Sequence, residues 1–270
     1  MTLTDYHTHS FRCGHAVGTM EQYIKSAIAK GITEIGLTDH LHLYFDPPEK
    51  RDPRWAMAES EYAAHYEEML GLRERYRSRI NVRVSVEADY VAGHEDELRA
   101  VLDAWKFDFV LGGIHFMDGW LIDDPEQTHR YRDERIAEIY RRYFANVQRA
   151  VRLGVFDVIA HFDLPKKFGH LPEEDLSDLV AKTLDLVKET DTVLEVSTAG
   201  LRKPTGEIYP SKVILRMMRE REIPIVLSSD AHDPADVGFG YETSLALVRE
   251  AGYDELATFE GGLRTMARIG

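Results

Sequence analysis

Seven short apolar runs rich in Val, Ile and Leu recur along the chain, and the segments between them carry apolar residues every three or four positions. The runs extend from Thr2 to Tyr6, Glu34 to Thr38, Val82 to Val86, Phe109 to Gly113, Val155 to Ala160, Val193 to Ser197 and Ile225 to Ser229. Predicted helices cover Met20 to Lys30, Glu59 to Arg77, Glu95 to Trp105, Glu134 to Leu153, Glu174 to Glu189, Ser211 to Arg221 and Ser244 to Ala251. Such alternation is the pattern of β/α units wound around a parallel sheet. A strand count of seven predicts an α/β fold closed as a (β/α)7 barrel.

The ends of the predicted helices carry recognisable punctuation. Thr19 with Gln22 reads as a capping box, and Gly31, Gly154 and Gly252 stand where a helix C-terminus favours a left-handed residue. Two connections are long: His42 to Ser60, with three prolines, and Met117 to Asp133, with Trp120 and several acidic residues. Both follow predicted strands, so both are expected on one face as lids.

No repeat or low-complexity linker divides the 270 residues, and one domain over 1–270 is expected. A net charge of −14 opposes attraction to a polyanionic backbone, so nucleic acid is not expected as a partner. The single cysteine, Cys13, leaves no internal disulfide framework and suits a reducing compartment. No stretch reads as a secretory leader or approaches the ~20 apolar residues of a membrane span. The expectation is a cytoplasmic protein without a membrane partner.

Six of the seven predicted strands end in a residue type that binds metals. His7 and His9 follow the first, with His15 shortly beyond; Asp39 and His40 follow the second, Glu87 the third, His115 the fourth, His161 the fifth, and Asp230 with His232 the seventh. The sixth ends in Ser197 and Thr198. In closed parallel barrels the C-terminal strand ends converge, which gathers these scattered positions into one cluster. Residues i and i+2 of an extended segment point the same way, so His7 and His9 can grip one ion, as can Asp230 and His232. Seven of the twelve histidines fall at strand ends, whereas His42, His65, His94, His129 and His170 do not. Imidazole and carboxylate donors suit Zn, Mn, Fe or Co better than Ca or Mg. Nine donors exceed the needs of one ion and suffice for three if one carboxylate bridges.

At these residues the chain resembles the polymerase and histidinol phosphatase (PHP) superfamily, through His7-Thr-His9, Thr38-Asp39-His40, Glu87, His115, His161 and Asp230-Ala-His232. Cys13-Gly-His15-Ala, Asp163-Leu-Pro-Lys166 and Ala199-Gly-Leu-Arg202 resemble its histidinol-phosphate phosphatase branch. The resemblance implies a distorted seven-stranded barrel with a trinuclear centre. It implies one metal on His7, His9, Glu87 and Asp230, a second on the bridging Glu87 with His115 and His161, and a third on His15, His40 and His232. The implied cofactors are three divalent ions, Zn, Fe or Mn.

Phosphate monoesters hydrolyse slowly because anionic oxygens repel a nucleophile and the alkoxide leaves poorly, so catalysis must neutralise charge and generate hydroxide. The expected reaction is hydrolysis of a small-molecule phosphate monoester with a metal-bound hydroxide as nucleophile. The resemblance points to L-histidinol phosphate, cleaved to L-histidinol and phosphate in histidine biosynthesis. Glu87 and Asp230 are the expected catalytic carboxylates, with Asp39 orienting a neighbouring imidazole. Arg202, whose fork matches two phosphate oxygens, and Lys166 are the expected phosphate cations. Asp163, two residues beyond His161, is expected to meet the substrate amine or a ligand's second nitrogen.

Three rival readings use the same residues. Another phosphoesterase of the superfamily would take phosphotyrosine or a small nucleotide. An amidohydrolase-like enzyme also opens on His-x-His, but takes its bridging carboxylate from the fourth strand rather than the third. A non-enzymatic metal-binding protein would fill its coordination positions rather than leave them open.

Overall fold

The computed structural model describes residues 2–270. Its strands are β1 (Thr4–Asp5), β2 (Glu34–Leu37), β3 (Asn81–Asp89), β4 (Phe109–Gly113), β5 (Phe116–Met117), β6 (Trp120–Leu121), β7 (Val158–Ile159), β8 (Val193–Ser197), β9 (Ile225–Ser228), β10 (Glu255–Glu260) and β11 (Leu263–Arg268). The α-helices are α1 (Met20–Ala29), α2 (Glu59–Tyr76), α3 (Glu95–Leu102), α4 (Ile136–Leu153), α5 (Ser177–Glu189), α6 (Lys212–Glu220) and α7 (Tyr241–Glu250). Seven strands pair in the order β1-β2-β3-β4-β7-β8-β9, all in parallel. The two edges then meet: Tyr6 N–H donates to Leu227 O at 3.2 Å, and Thr8 pairs with Ala231 as an isolated parallel bridge. The result is a nearly closed (β/α)7 barrel, distorted where β1 and β7 are only two residues long.

Local chemistry accounts for where the elements begin and end. Thr19 and Gln22 cap α1 reciprocally, and Gly154 closes α4 in the left-handed region at φ 71°. Asp175 Oδ1 accepts the Ser177 N–H at 2.8 Å, so α5 starts three residues later than its apolar period suggests. The long connection from Met117 is largely ordered. It contains the rest of the β5-β6 ribbon and a 3-10 helix, Pro125–Arg132, and Trp120 is buried against Tyr131 with ring centroids 4.8 Å apart.

Residues 253–270 carry no predicted element, yet β10 and β11 form an antiparallel hairpin that closes the floor of the barrel. Phe259 packs on Phe109 at 5.4 Å and Tyr6 at 6.3 Å, among Leu111, Val158, Val193, Val226 and Ala257. The Gly261 N–H donates to Asp108 Oδ1 at 2.7 Å, which fixes the turn beneath β4. The period-2 signal is weak because β11 presents exposed Leu263 and Met266, with neither face fully buried. Among the described residues, no helix is long and apolar enough to cross a membrane.

The floor predicts a stability cost. Phe259→Ala removes a buried ring with little room for collapse around it, and should lower the unfolding free energy by about 3–5 kcal/mol. Urea denaturation followed by circular dichroism measures this; a loss under about 1 kcal/mol would mean that the hairpin does not seal the barrel.

Candidate metal centre

Strand alternation and closure bring the predicted donors together at the C-terminal end of the barrel. Glu87 and Asp89 lie on the same face of β3, and His7 and His9 continue β1 beyond its last paired residue. Space there is narrow: a Cβ on Gly113 would lie 2.5 Å from His115 Cε1 and 2.8 Å from Glu87 Oε1. Only glycine lets β4 approach that closely.

Glu87 is at the centre, 1% exposed, and its two oxygens face different partners. Oε2 lies 3.1 Å from His7 Nε2, 3.4 Å from His9 Nε2 and 3.1 Å from His40 Nδ1. Oε1 lies 3.2 Å from His161 Nε2 and 3.7 Å from His115 Nε2, and those two nitrogens are 3.1 Å apart. Asp230 Oδ1 lies 3.4 Å from His9 Nε2 and 3.7 Å from His7 Nε2. These separations resemble the edges of a coordination polyhedron, about 3.3–3.4 Å for tetrahedral zinc with bonds near 2.0–2.1 Å.

Donor groupings with atoms mutually within 4.8 Å include His7, His9 and Asp230; His7, Glu87 and His161; and His9, His40 and His232. His40 and His232 group with His9, while His15 groups with His232 and Cys13. His15 still faces the same space, its ring 4.9 Å from His232 and 5.4 Å from His40.

Electrostatics favour ionised carboxylates and three neutral imidazoles, whereas the carboxylates beside His7 and His115 outweigh burial and push those two rings up, His115 to about 10, so that a cation must displace their protons. Burial opposes ionisation of Glu87, but the imidazoles of His7, His40 and His115 hold it well below the ordinary carboxylate range. Asp230 is also held low, against its own burial, by His7, His9 and His232. Burial and neighbouring imidazoles push His15, His40 and His232 down, which keeps their lone pairs free. Both ring nitrogens of His9 are buried without a hydrogen-bond partner, as is His161 Nδ1. Unpartnered buried nitrogens beside ionised carboxylates fit a cation better than any neutral filling.

Behind the donors stands a layer of acceptors. His7 Nδ1 lies 2.7 Å from Glu195 Oε1, and His115 Nδ1 lies 2.7 Å from Asp89 Oδ1. His15 Nδ1 donates to Cys13 O and Arg54 O, at 2.9 and 2.8 Å, and His232 Nδ1 approaches Asp230 O at 3.2 Å. Gly14 permits the His15 contact, since a Cβ there would collide with Pro53 O at 2.0 Å. Burial pushes the Cys13 thiol up to about 12, so it stays protonated beside the cluster.

A cavity of 360 Å³ opens above the donors. Leu43, Trp55, Phe116 and Leu121 form an apolar wall, Asp89 and Asp123 add carboxylates, and Lys167 and Lys203 add cations. Three residues expected at the substrate, Lys166, Asp163 and Arg202, are not among those that line the cavity. Lys166 is buried, its ammonium 2.9 Å from both Asp163 Oδ2 and Glu207 Oε2 and donating to Ile208 O at 2.7 Å. Asp163 also accepts the Ser211 N–H at 2.9 Å, so this pair ties the β7 and β8 connections together. Arg202 Nη2 donates to Ser229 O at 2.7 Å and Asp230 O at 3.0 Å, bracing the turn that carries Asp230 at φ 48°. Asp39, expected to orient a neighbouring imidazole, accepts instead from the N–H and Oγ–H of Ser10, just after His9.

Sequence reading passed over Glu195, Asp89, Trp55 and Phe116. Asp89 had a signal, being two residues from Glu87, the spacing used for His7 with His9. Glu195 had one too: a carboxylate amid Val193, Leu194 and Val196 is out of place in a buried strand unless donors meet it.

The PHP domain family pattern matches residues 5–199. A probable histidinol-phosphatase of Deinococcus radiodurans is 37% identical over 250 residues, covering 93% of this chain and 94% of that protein. The histidinol-phosphatase of Bacillus subtilis is 31% identical over 268 residues, covering 91% and 99%. The crystal structure of histidinol phosphate phosphatase from Lactococcus lactis subsp. lactis, complexed with zinc, L-histidinol and phosphate, has a TM-score of 0.83 at 21% identity, covering 98% of this chain and 99% of that one. With its pattern of donors, its barrel and a match over most of its length, this chain belongs to the PHP domain family.

Proposed function

We propose that this protein hydrolyses a small phosphate monoester, L-histidinol phosphate, to L-histidinol and inorganic phosphate, with three divalent ions held in the barrel mouth. The observation that carries the reading is the division of Glu87: one oxygen toward His7, His9 and His40, the other toward His115 and His161. One carboxylate shared between two histidine sets suits adjacent ions. The names of two relatives that align over nearly their whole lengths, and the ligands of the Lactococcus complex, support the substrate.

In this reading His7, His9, Glu87 and Asp230 hold one ion, Glu87, His115 and His161 a second, and His15, His40 and His232 a third, with zinc, iron or manganese suited to the donors. Bound there, the ions would supply Lewis acidity that activates water and offsets charge on the phosphoryl oxygens.

The chain's own residues do the rest. Lys203 stands at the cavity edge with no carboxylate in ion-pair range among the described residues, and it is the cation most available to phosphate. Lys167 is tied to Asp123 Oδ2 at 2.9 Å, an arrangement that leaves the pair nearly neutral. Trp55, Phe116 and Leu43 offer apolar contact to an imidazole ring and exclude water from the mouth. Asp89 and Asp123 present carboxylates on the side where a substrate amine would add positive charge. Arg202 acts through its grip on the Asp230 turn, and Asp39 through Ser10.

Phosphate release from L-histidinol phosphate, phosphotyrosine and 4-nitrophenyl phosphate, with metal analysis of the same sample, tests this reading. Preference for L-histidinol phosphate is expected; turnover of none by metal-loaded protein would reject phosphatase function, and preference for phosphotyrosine would reject the substrate. His7→Ala should lose metal and most activity with an unchanged far-UV spectrum, because its ring is not part of the apolar core. Lys203→Ala should raise KM about ten- to a hundredfold, the effect of losing one charge-assisted hydrogen bond, and keep its metal. Lys166→Ala should instead lower stability by about 3–5 kcal/mol, since buried Asp163 is left without its partner cation.

A further inference from the structure

The sixth barrel strand, β8, ends without a metal-binding residue, and its contribution to the centre lies deeper. Glu195, in the middle of β8, is fully buried and accepts three short hydrogen bonds. His7 Nδ1 is 2.7 Å from Oε1, Ser228 Oγ is 2.5 Å from the same oxygen, and the His161 N–H is 2.6 Å from Oε2. The barrel interior around it is filled by Val158 and Val226 of the neighbouring strands and by Val193 of β8 itself. A carboxylate at this level is costly to bury unless the donors that meet it have a use for it.

We infer that Glu195 is a positioning residue that sets one donor of each of two adjacent ions, His7 on one side and His161 on the other. This rests on reading both histidines as ligands.

Two physical effects follow from the geometry. Oε1 already accepts the Ser228 hydroxyl and lies 2.7 Å from His7 Nδ1, so it takes the Nδ1–H of that ring and turns Nε2 toward Glu87 and Asp230. On the other side, His161 has φ 28°, a left-handed backbone that a β-carbon disfavours. The bond from its N–H to Oε2 helps hold that conformation, and the conformation aims the ring at Glu87 Oε1 and His115. Glu87 and Glu195 therefore work as opposed braces: Glu87 faces the inward ring nitrogens, and Glu195 holds His7 by its outer ring nitrogen and His161 by its backbone N–H. Asp89 supports only His115, and the rings of His15 and His232 lean on backbone carbonyls. Among the described residues, Glu195 alone reaches members of two expected ligand sets from behind.

Glu195→Gln tests this. An amide has one oxygen and one NH2 group, so it cannot accept from His7 and Ser228 on one side and from the His161 N–H on the other. Zinc release from the loaded variant into a chelator should be about 10- to 100-fold faster than from wild type. The visible spectrum of its cobalt form should change, because donor angles change. Ser228→Ala removes a neighbouring bond to the same carboxylate but touches neither histidine, and its zinc release should stay within about threefold of wild type. Wild-type release from Glu195→Gln with an unchanged cobalt spectrum would overturn the inference, as would equal acceleration in both variants. Failure of wild type to hold zinc would instead reject the site reading on which it rests. If Glu195→Gln does not fold, long-range proton–nitrogen NMR of histidine-labelled, zinc-loaded wild type decides. A protonated, exchange-protected Nδ1 on His7 is expected, and an unprotonated Nδ1 would overturn the inference.

Discussion

The Glu87 carboxylate, enclosed by imidazoles inside the barrel mouth, is the interaction around which the remaining residues are arranged. An unpaired charge at 1% exposure would be costly, and the nitrogens of five histidines lie 3.1–3.7 Å from its two oxygens. Those imidazoles hold the carboxylate ionised, while burial and mutual repulsion keep His40 and His232 neutral. Opposite demands on acids and bases in one small volume are reconciled by cations, which want both groups deprotonated.

The barrel gives this arrangement its rigidity by separating two ends. Aromatic packing of Tyr6, Phe109 and Phe259 closes one end with apolar surface. The other end is left to polar groups that hold one another: Asp5 accepts from the N–H and Oγ–H of Ser229, Arg202 from outside braces Ser229 and Asp230 through their carbonyls, and Glu195 joins β8 to the segments after β1 and β7. Burial pushes Asp5 up to about 6 despite these bonds, a measure of how dry this layer is. The positive φ of His161 and of Asp230 occurs at this polar end, where surrounding bonds can sustain it.

Much of this was legible in the chain because barrel topology turns sequence order into spatial order. Seven alternations predicted seven parallel strands, and donors at their ends had to converge; His7 to His232 do so in the order read. What escaped was information carried by partners rather than by pattern. Lys166 and Arg202 have the right charge and motif for phosphate, yet Asp163 and Glu207 hold Lys166 and two backbone carbonyls hold Nη2 of Arg202, and of these partners only Asp163 is near in sequence. The β10-β11 hairpin escaped because its exposed face blurs the alternation that marks a strand. Glu195 was visible as an oddity in an apolar run, but its meaning depended on His7 and on His161, 188 and 34 residues away.

The shared role of Glu87 is the central claim, and anomalous diffraction from crystals of the metal-loaded protein tests it most directly. The account predicts two peaks flanking the carboxylate, one within bonding distance of each oxygen, with His7 and His9 beside the first and His115 and His161 beside the second. A single peak at this position, or two ions with Glu87 bound to only one of them, would contradict it.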